Sequence, residues 1–151
     1  MELEKEIDQK SFKSEHQKAV VNVLFTGKWL EYRQNATFKP YGLTAQQFNV
    51  LRILRGCMPK PATVQYLVER MLDKSSNASR IVDKLIEKGL VDRRICEANR
   101  RMVDIKITTK GLDLLALLDA NEAMWSKYDG VLNADEARTL NTLLDKMRDA
   151  K

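Results

Sequence analysis

Four arginines in two adjacent pairs, Arg93–Arg94 and Arg100–Arg101, stand in the stretch LVDRRICEANRRMVDIKIT, residues 90–108. A guanidinium stays charged at any ordinary pH. Its planar fork of donors fits phosphate oxygens or the two acceptors on a guanine edge. A second polar group, Ser75, Ser76, Asn77, Ser79 and Arg80, lies shortly before it. Asparagine can pair with adenine through two hydrogen bonds, and small serines let a backbone come close. Residues of these types do the chemistry of recognition, and double-stranded DNA is the partner they fit.

The charge distribution points the same way. Net charge is +5 over 151 residues. Residues 74–110 hold ten of the 26 basic residues and five of the 21 acidic ones, so the remainder is balanced. A basic excess confined to one quarter of the chain is the footprint of an anionic partner, with a solvated basic face as the plainer alternative.

Bond-breaking chemistry finds little support. The single histidine, His16, sits in a charged N-terminal segment, and there is no CxxC or HExxH pattern to hold zinc. The six glycines stand singly, so no glycine loop cradles a phosphate. Nothing pairs a base with Cys57 or Cys96. No cofactor and no metal is expected, and the chain is not expected to be an enzyme. No apolar run reaches membrane-spanning length, and the charged N-terminus lacks a secretory signal. Two distant cysteines fit a reducing cytoplasm.

The elements that must position these residues read as mostly helical. Ala19, Val20, Val23, Leu24, Gly27 and Leu30 recur at helical steps within a long first helix over residues 13–36. Pro40 and Gly42 end it. Thr44 and Gln47 form a capping-box signature for a second helix that stops at Gly56. Thr63 caps a short third helix through about Met71. Asp73 is expected to cap a fourth over residues 74–88, closed by Gly89. The period then changes to two. Val91, Arg93 and Ile95 share one strand face, and Val103, Ile105 and Ile107 share another, with CEANRR as the turn. Thr108 or Thr109 opens a fifth helix carrying Leu112, Leu114, Leu115, Leu117, Leu118 and Met124. Asn133 and Glu136 open a sixth, with Ala137, Leu140, Leu143, Leu144 and Met147. The fold class is mainly α with a small β-hairpin wing, a winged helix-turn-helix.

On the fourth helix, Ala78, Ile81, Val82, Leu85 and Ile86 project to one side and face the core. Ser76, Arg80, Asp83, Lys84 and Glu87 project opposite, with Asn77 and Ser79 on the flanks. The N-terminal half of the free face would meet base edges in a major groove, whereas Asp83 and Glu87 would be repelled by phosphate. The hairpin tip, with Arg100 and Arg101, would reach the adjacent minor groove. Arg93 and Arg94 would meet phosphates or brace the wing through ion pairs with Asp92, Glu97 or Asp104.

The segments SRIVDKLIEKGLVDRR and NRRMVDIKITTKG resemble the MarR (multiple-antibiotic-resistance regulator) family of winged helix-turn-helix transcription factors. The family pattern runs Leu-x-x-x-Gly-Leu-(Val/Ile), an arginine-bearing strand, Asp-x-Arg in the wing, then Leu-Thr-x-x-Gly. Leu85, Gly89, Leu90, Val91, Arg94, Arg101, Thr108 and Gly111 fall on it. Ile107 replaces the leucine, and Asn99 replaces the aspartate that would hold the wing by an ion pair. The resemblance implies one MarR-type domain over residues 1–151, with dimerisation helices at about 13–36 and 109–150. A DNA-binding lobe would span about 44–108. It implies a homodimer that binds a pseudo-palindromic operator as a repressor relieved by a small-molecule effector or by thiol oxidation. Independently, the fifth helix is apolar over a wide arc and needs cover on two sides.

Two other functional readings stay open. Cys96, among four arginines, would make a thiol-based redox sensor if its thiol were activated. A winged helix can also serve as a protein-interaction module without touching DNA. Trp29, Tyr32, Phe38 and Tyr41 cluster near the end of the first helix and would line an effector pocket between the dimerisation helices and the lobe.

Overall fold

The computed structural model describes residues 2–96, 99–120 and 130–149, with the backbone alone for Cys96 and residues 99–102. One short helix precedes the first long one. Helix α1 (Leu3–Glu6) buries Leu3 beside Asn22, Phe25 and Trp29. A Lys18–Glu4 ion pair of 2.5 Å fastens this arm. Sequence periodicity gave no sign of α1, because four residues cannot display a helical repeat.

Helix α2 (Glu15–Phe38) starts at Ser14, whose Oγ accepts from Gln17 N at 3.2 Å. It ends two residues beyond the expected boundary, in a 3-10 turn over Lys39–Tyr41 closed by Gly42 at φ 66°. Of α2 only Phe38 is buried, stacked on Phe48 with centroids 4.3 Å apart. Its apolar stripe meets solvent: Val20 is 46% exposed and Leu24 66%.

Helix α3 (Ala45–Gly56) has the expected capping box, with Gln47 N donating to Thr44 Oγ1 and Thr44 N to Gln47 Oε1. Its next free amide, Ala45 N, donates to Asn35 Oδ1 of α2 at 2.8 Å. Helix α4 (Val64–Arg70) is capped by Thr63. Just before it, Ala62 exchanges two backbone hydrogen bonds with Ile105, so the wing is sewn to the lobe.

Helix α5 (Ala78–Glu87) starts later than expected, and its cap is Asn77, not Asp73. Asn77 Oδ1 accepts from Arg80 N at 3.0 Å. Asp73 instead closes a turn of its own. Its carboxylate accepts from Ser75 N at 3.0 Å and from the Ser75 and Ser76 hydroxyls at 2.6 Å. Both side chains have capping chemistry, and sequence alone does not say which of two adjacent Asx caps the chain uses.

Strands β1 (Val91–Cys96) and β2 (Asn99–Ile107) pair antiparallel, with Val91 opposite Ile107, Arg93 opposite Ile105 and Ile95 opposite Val103. The next pair is Cys96 with Asn99, so the register slips there. Arg100 and Arg101 therefore belong to β2 beside the tip, not to the turn. Only residues 97 and 98 separate the strands, and they lie outside the described residues. Helix α6 (Thr109–Ala120) is capped by Thr108, whose Oγ1 accepts from Gly111 N at 3.1 Å. Met124 lies outside the described residues. Helix α7 (Ala134–Arg148) opens on the expected Asn133–Glu136 capping box.

Val50, Leu51 and Leu54 of α3, Leu67 of α4, Val82 and Leu85 of α5, Val91 and Ile105 of the wing, and Leu115 and Leu118 of α6 form one core. Helix α7 has no buried residue. Its stripe is open, with Leu143 58% exposed and Leu140 44%.

The end of α5, the base of the wing and the start of α6 meet at one junction. Gly89 takes φ 69°, which lets Gly89 N reach Ile86 O and Leu90 N reach Leu85 O. Thr108 Oγ1 donates to Gly89 O at 2.8 Å, and Lys110 Nζ to Lys88 O at 2.8 Å. A Cβ on Gly111 would stand 2.4 Å from Leu90 O and 2.7 Å from Ile107 Cγ1. Gly111→Ala is expected to destabilise the lobe by about 1–3 kcal/mol, since backbone on one side must give way. Gly89→Ala should cost about 1 kcal/mol through its left-handed backbone. Urea unfolding followed by circular dichroism measures both.

Candidate nucleic-acid interface

Helix α5 buries Ala78, Val82 and Leu85 and turns Ser79, Arg80, Asp83, Lys84 and Glu87 outward, as its periodicity requires. Ser75 and Ser76 are not on the helix. They lie in the Asp73 turn that leads into it, with both hydroxyls donating to that carboxylate. These hydroxyl bonds, with the Ser75 amide, hold the Asp73 carboxyl down at about 2. The turn is therefore kept as pH falls and is lost only when that carboxylate protonates, far below neutral pH. Asn77 is exposed; its Oδ1 is used by the cap while its amide nitrogen stays available. The Arg80 guanidinium makes no ion pair with a described residue.

A shallow groove of about 330 Å³ runs between the start of α3 and the first turns of α5. Thr44, Gln46, Ser76, Asn77, Arg80 and Lys84 line it. Residue patterns on α5 alone could not reveal the contribution of Thr44 and Gln46, because α3 lies some thirty residues earlier in the chain. Lys88 holds the two helices together, its Nζ donating to Gln47 Oε1 at 2.8 Å and to the Gly42 carbonyl.

The acidic residues on α5 are neutralised locally. Asp83 Oδ1 lies 2.8 Å from Arg93 Nη2, and Glu87 Oε2 lies 2.8 Å from Lys84 Nζ. The first pair crosses from the helix to the wing. Arg93 thus braces the wing as expected, although its partner is Asp83 and neither Asp92 nor Asp104; Glu97 lies outside the described residues. Arg94 points to the other face of the hairpin, where its register partner is Asp104; it makes no ion pair with a described residue. The side chains of Arg100 and Arg101 lie outside the described residues. Their backbone falls where the register slips.

The cysteine reading divides. Cys57 donates its thiol to Leu54 O at 3.1 Å, and burial pushes its pKa up. A raised thiol is an unreactive one, so Cys57 is a packing residue. The side chain of Cys96 lies outside the described residues. Among the described residues no cluster of His, Cys, Asp and Glu could hold a metal ion, and no helix is long and apolar enough to cross a membrane.

The four aromatics do not converge on one pocket. Phe38 is core, Tyr32 is 75% exposed, and Trp29 stands beside α1 with Arg33 over its ring. A cleft does lie between α2 and the lobe. It measures about 510 Å³, and its walls include Lys28, Glu31, Gln46, Asn49, Leu72 and Asp73.

The sequence pattern of the MarR family matches residues 41–102, from the turn before α3 to the wing. A MarR transcription factor from Planctomyces limnophilus shares 30% identity, over 89% of this chain and 98% of its own, with a TM-score of 0.67. The chain belongs to the MarR family. Two further structures share the fold. E. coli MarR, in a cysteine variant complexed with operator DNA, is 24% identical, with a TM-score of 0.75 over 97% of this chain and 99% of that one. An organohalide-sensing transcriptional regulator bound to 2,4-dichlorophenol is 22% identical, with a TM-score of 0.79 over 93% and 82%. Within this MarR-family fold the arginine that braces the wing is Arg93, next to Arg94, which falls on the family motif.

Asp83→Asn and Arg93→Ala are expected to show a coupling of about 0.5 kcal/mol in a double-mutant cycle on stability, the size of an exposed ion pair. Chemical unfolding of the four proteins gives that number, and additive losses would mean the pair is not formed.

Proposed function

We propose that this MarR-family protein is a sequence-specific DNA-binding transcriptional regulator that acts as a homodimer on a pseudo-palindromic operator. The observation that carries the reading is the exposed surface of Ser79, Arg80 and Asn77 at the start of α5. A wing stands beside it, and the acidic residues of that helix are already paired. Helix α5 enters the major groove by its N-terminal half. Arg80 and Asn77 read base edges there, with Ser75, Ser76 and Ser79 close to the backbone. Arg94, Arg100 and Arg101 contact phosphate or the minor groove.

A second copy covers what one chain leaves open. Val20, Val23 and Leu24 of α2 and Leu140, Leu143 and Met147 of α7 are exposed apolar residues on the two terminal helices. Such a surface is what a subunit interface requires. The chain is then one domain, residues 1–151, in which the terminal helices dimerise and residues 44–108 form the DNA-binding lobe. Two α5 helices about 34–36 Å apart would meet successive major grooves. A small molecule in the cleft between α2 and the lobe would act as effector, because it touches the Asp73 turn that leads into α5. Repression relieved by such a ligand is the regulatory mode this arrangement favours.

Four measurements test the reading. Arg80→Ala is expected to weaken specific binding by about 1–3 kcal/mol and to relax preference at one position per half-site. Equal weakening on random duplex would make Arg80 a phosphate contact instead. Arg101→Ala should reduce a preference for A·T-rich flanks, measured by titration on duplexes that differ only there. Removing residues 133–151 should leave a monomer or an aggregate in sedimentation, and a parent protein that is monomeric at micromolar concentration would refute the dimer. Binding to duplex that did not fall with salt would favour a protein-interaction module.

A further inference from the structure

Helix α6 is joined to the DNA-binding lobe at two separated places of different character. The first is the junction at its N-terminus, where Thr108, Lys110 and the close-packed Gly111 grip the end of α5 and the base of the wing. The second is Asp119, eight residues beyond Gly111, or about 12 Å along the helix axis. There a single carboxylate receives two guanidiniums from α3. Arg52 Nη1 stands 3.3 Å from Asp119 Oδ1, and Arg55 Nη1 stands 2.5 Å from Oδ2. Leu115 and Leu118 pack into the lobe core between these two places. Apolar packing is not directional, so it resists separation more than rotation. A fork of charged hydrogen bonds has a preferred direction.

Two fixed points determine how a rod lies against a body. The junction is one such point and is held by backbone contact. The other depends on Asp119, whose two partners would repel one another without it. All three side chains are about a third to a half exposed. Ion pairs of this kind add little to stability, so they are poorly explained as a device for holding the lobe together. They do set an angle. Helix α3 is also held from the other side, by Asn35 of α2 through Ala45 N and by Glu31 of α2, which accepts from Gln46 Nε2 at 3.3 Å. The lobe is therefore handled through α3 by both terminal parts of the chain.

We propose that Asp119, bracketed by Arg52 and Arg55, is a positioning residue that sets the angle between the DNA-binding lobe and α6, and through it the half-site spacing that the dimer accepts. This inference rests on the reading of the protein as a dimeric DNA-binding regulator. Asp119 itself touches no DNA. Its removal leaves the reading surface of each lobe intact and loosens the distance between the two.

The test begins with duplexes selected from a random library by the full-length parent protein. The selected site is then rebuilt with one or two base pairs added to or removed from its centre, and as a single half-site. The parent is expected to lose about tenfold or more in affinity at each wrong spacing, since helix phase and distance both change. Asp119→Ala is expected to reduce that penalty to about threefold or less, with half-site affinity and base preference unchanged. The double variant Arg52→Gln/Arg55→Gln should do the same from the other side, and Asp119→Glu should restore a steep profile. Thermal unfolding of each variant checks that the lobe is folded. If the two disrupting variants keep the parent's spacing penalty, Asp119 does not set the spacing. If the parent selects no duplex at all, the DNA-binding reading fails and this inference falls with it.

Discussion

The contact between Gly111 and Leu90 is the constraint on which the rest of this structure depends. The backbone of α6 approaches so closely that a methyl group at residue 111 would overlap the Leu90 carbonyl oxygen. That approach is possible because Gly89 has turned the chain sharply at the end of α5, with its carbonyl taken up by Thr108. Three functional parts therefore diverge from one small volume: the helix proposed to read bases, the wing beside it and the helix that leads out of the lobe. A shift at this point would move all three. Most of the motif residues that carry the family resemblance, Leu85, Gly89, Leu90, Val91, Thr108 and Gly111, belong to this junction and to the core beneath it. They position the interface without forming it.

Electrostatics then decide which parts of the surface can approach an anion. Helix α5 carries two carboxylates on its outward face, an arrangement that taken alone opposes phosphate. Each is matched by a cation held at 2.8 Å, one from the helix itself and one from the wing. The net basic charge of the region is thus left on residues such as Arg80 and Arg94, which make no ion pair with a described residue. The Arg93–Asp83 bridge also ties the wing to the helix, so the two act on a partner as one body.

The terminal helices present the opposite problem. Helix α7 buries nothing within its own chain, and α2 buries only Phe38. A helix that exposes leucines and valines on this scale is stable only when another surface covers them. The proposed dimer meets that requirement and also fixes the two lobes relative to each other. Lobe geometry is then settled where α3 meets α2 and α6, through Asn35, Glu31 and Asp119.

Much was legible in the sequence. Helical and strand periods, capping boxes at Thr44 and Asn133, the glycine stop at residue 89 and the change to alternation after it are all local signals. Local hydrogen bonding and backbone sterics make them hold in the fold. The core face of α5 followed from the same arithmetic, as did the candidate status of Ser79 and Arg80. What needed the tertiary structure was every choice between competing local partners and every contact between distant segments. Asn77 displaced Asp73 as the cap of α5 because both carry a suitable oxygen, and only the path of the whole chain selects one. Arg93 rather than Arg94 faces the helix because the strand register, pinned by Ala62 against Ile105, decides which arginine lies on that side. The groove shared by Thr44, Gln46 and Arg80, the joining of α3 to α6 through Asp119, and the scatter of the four aromatics depend on how helices pack. Packing sums many weak, non-directional contacts, and no residue spacing encodes them.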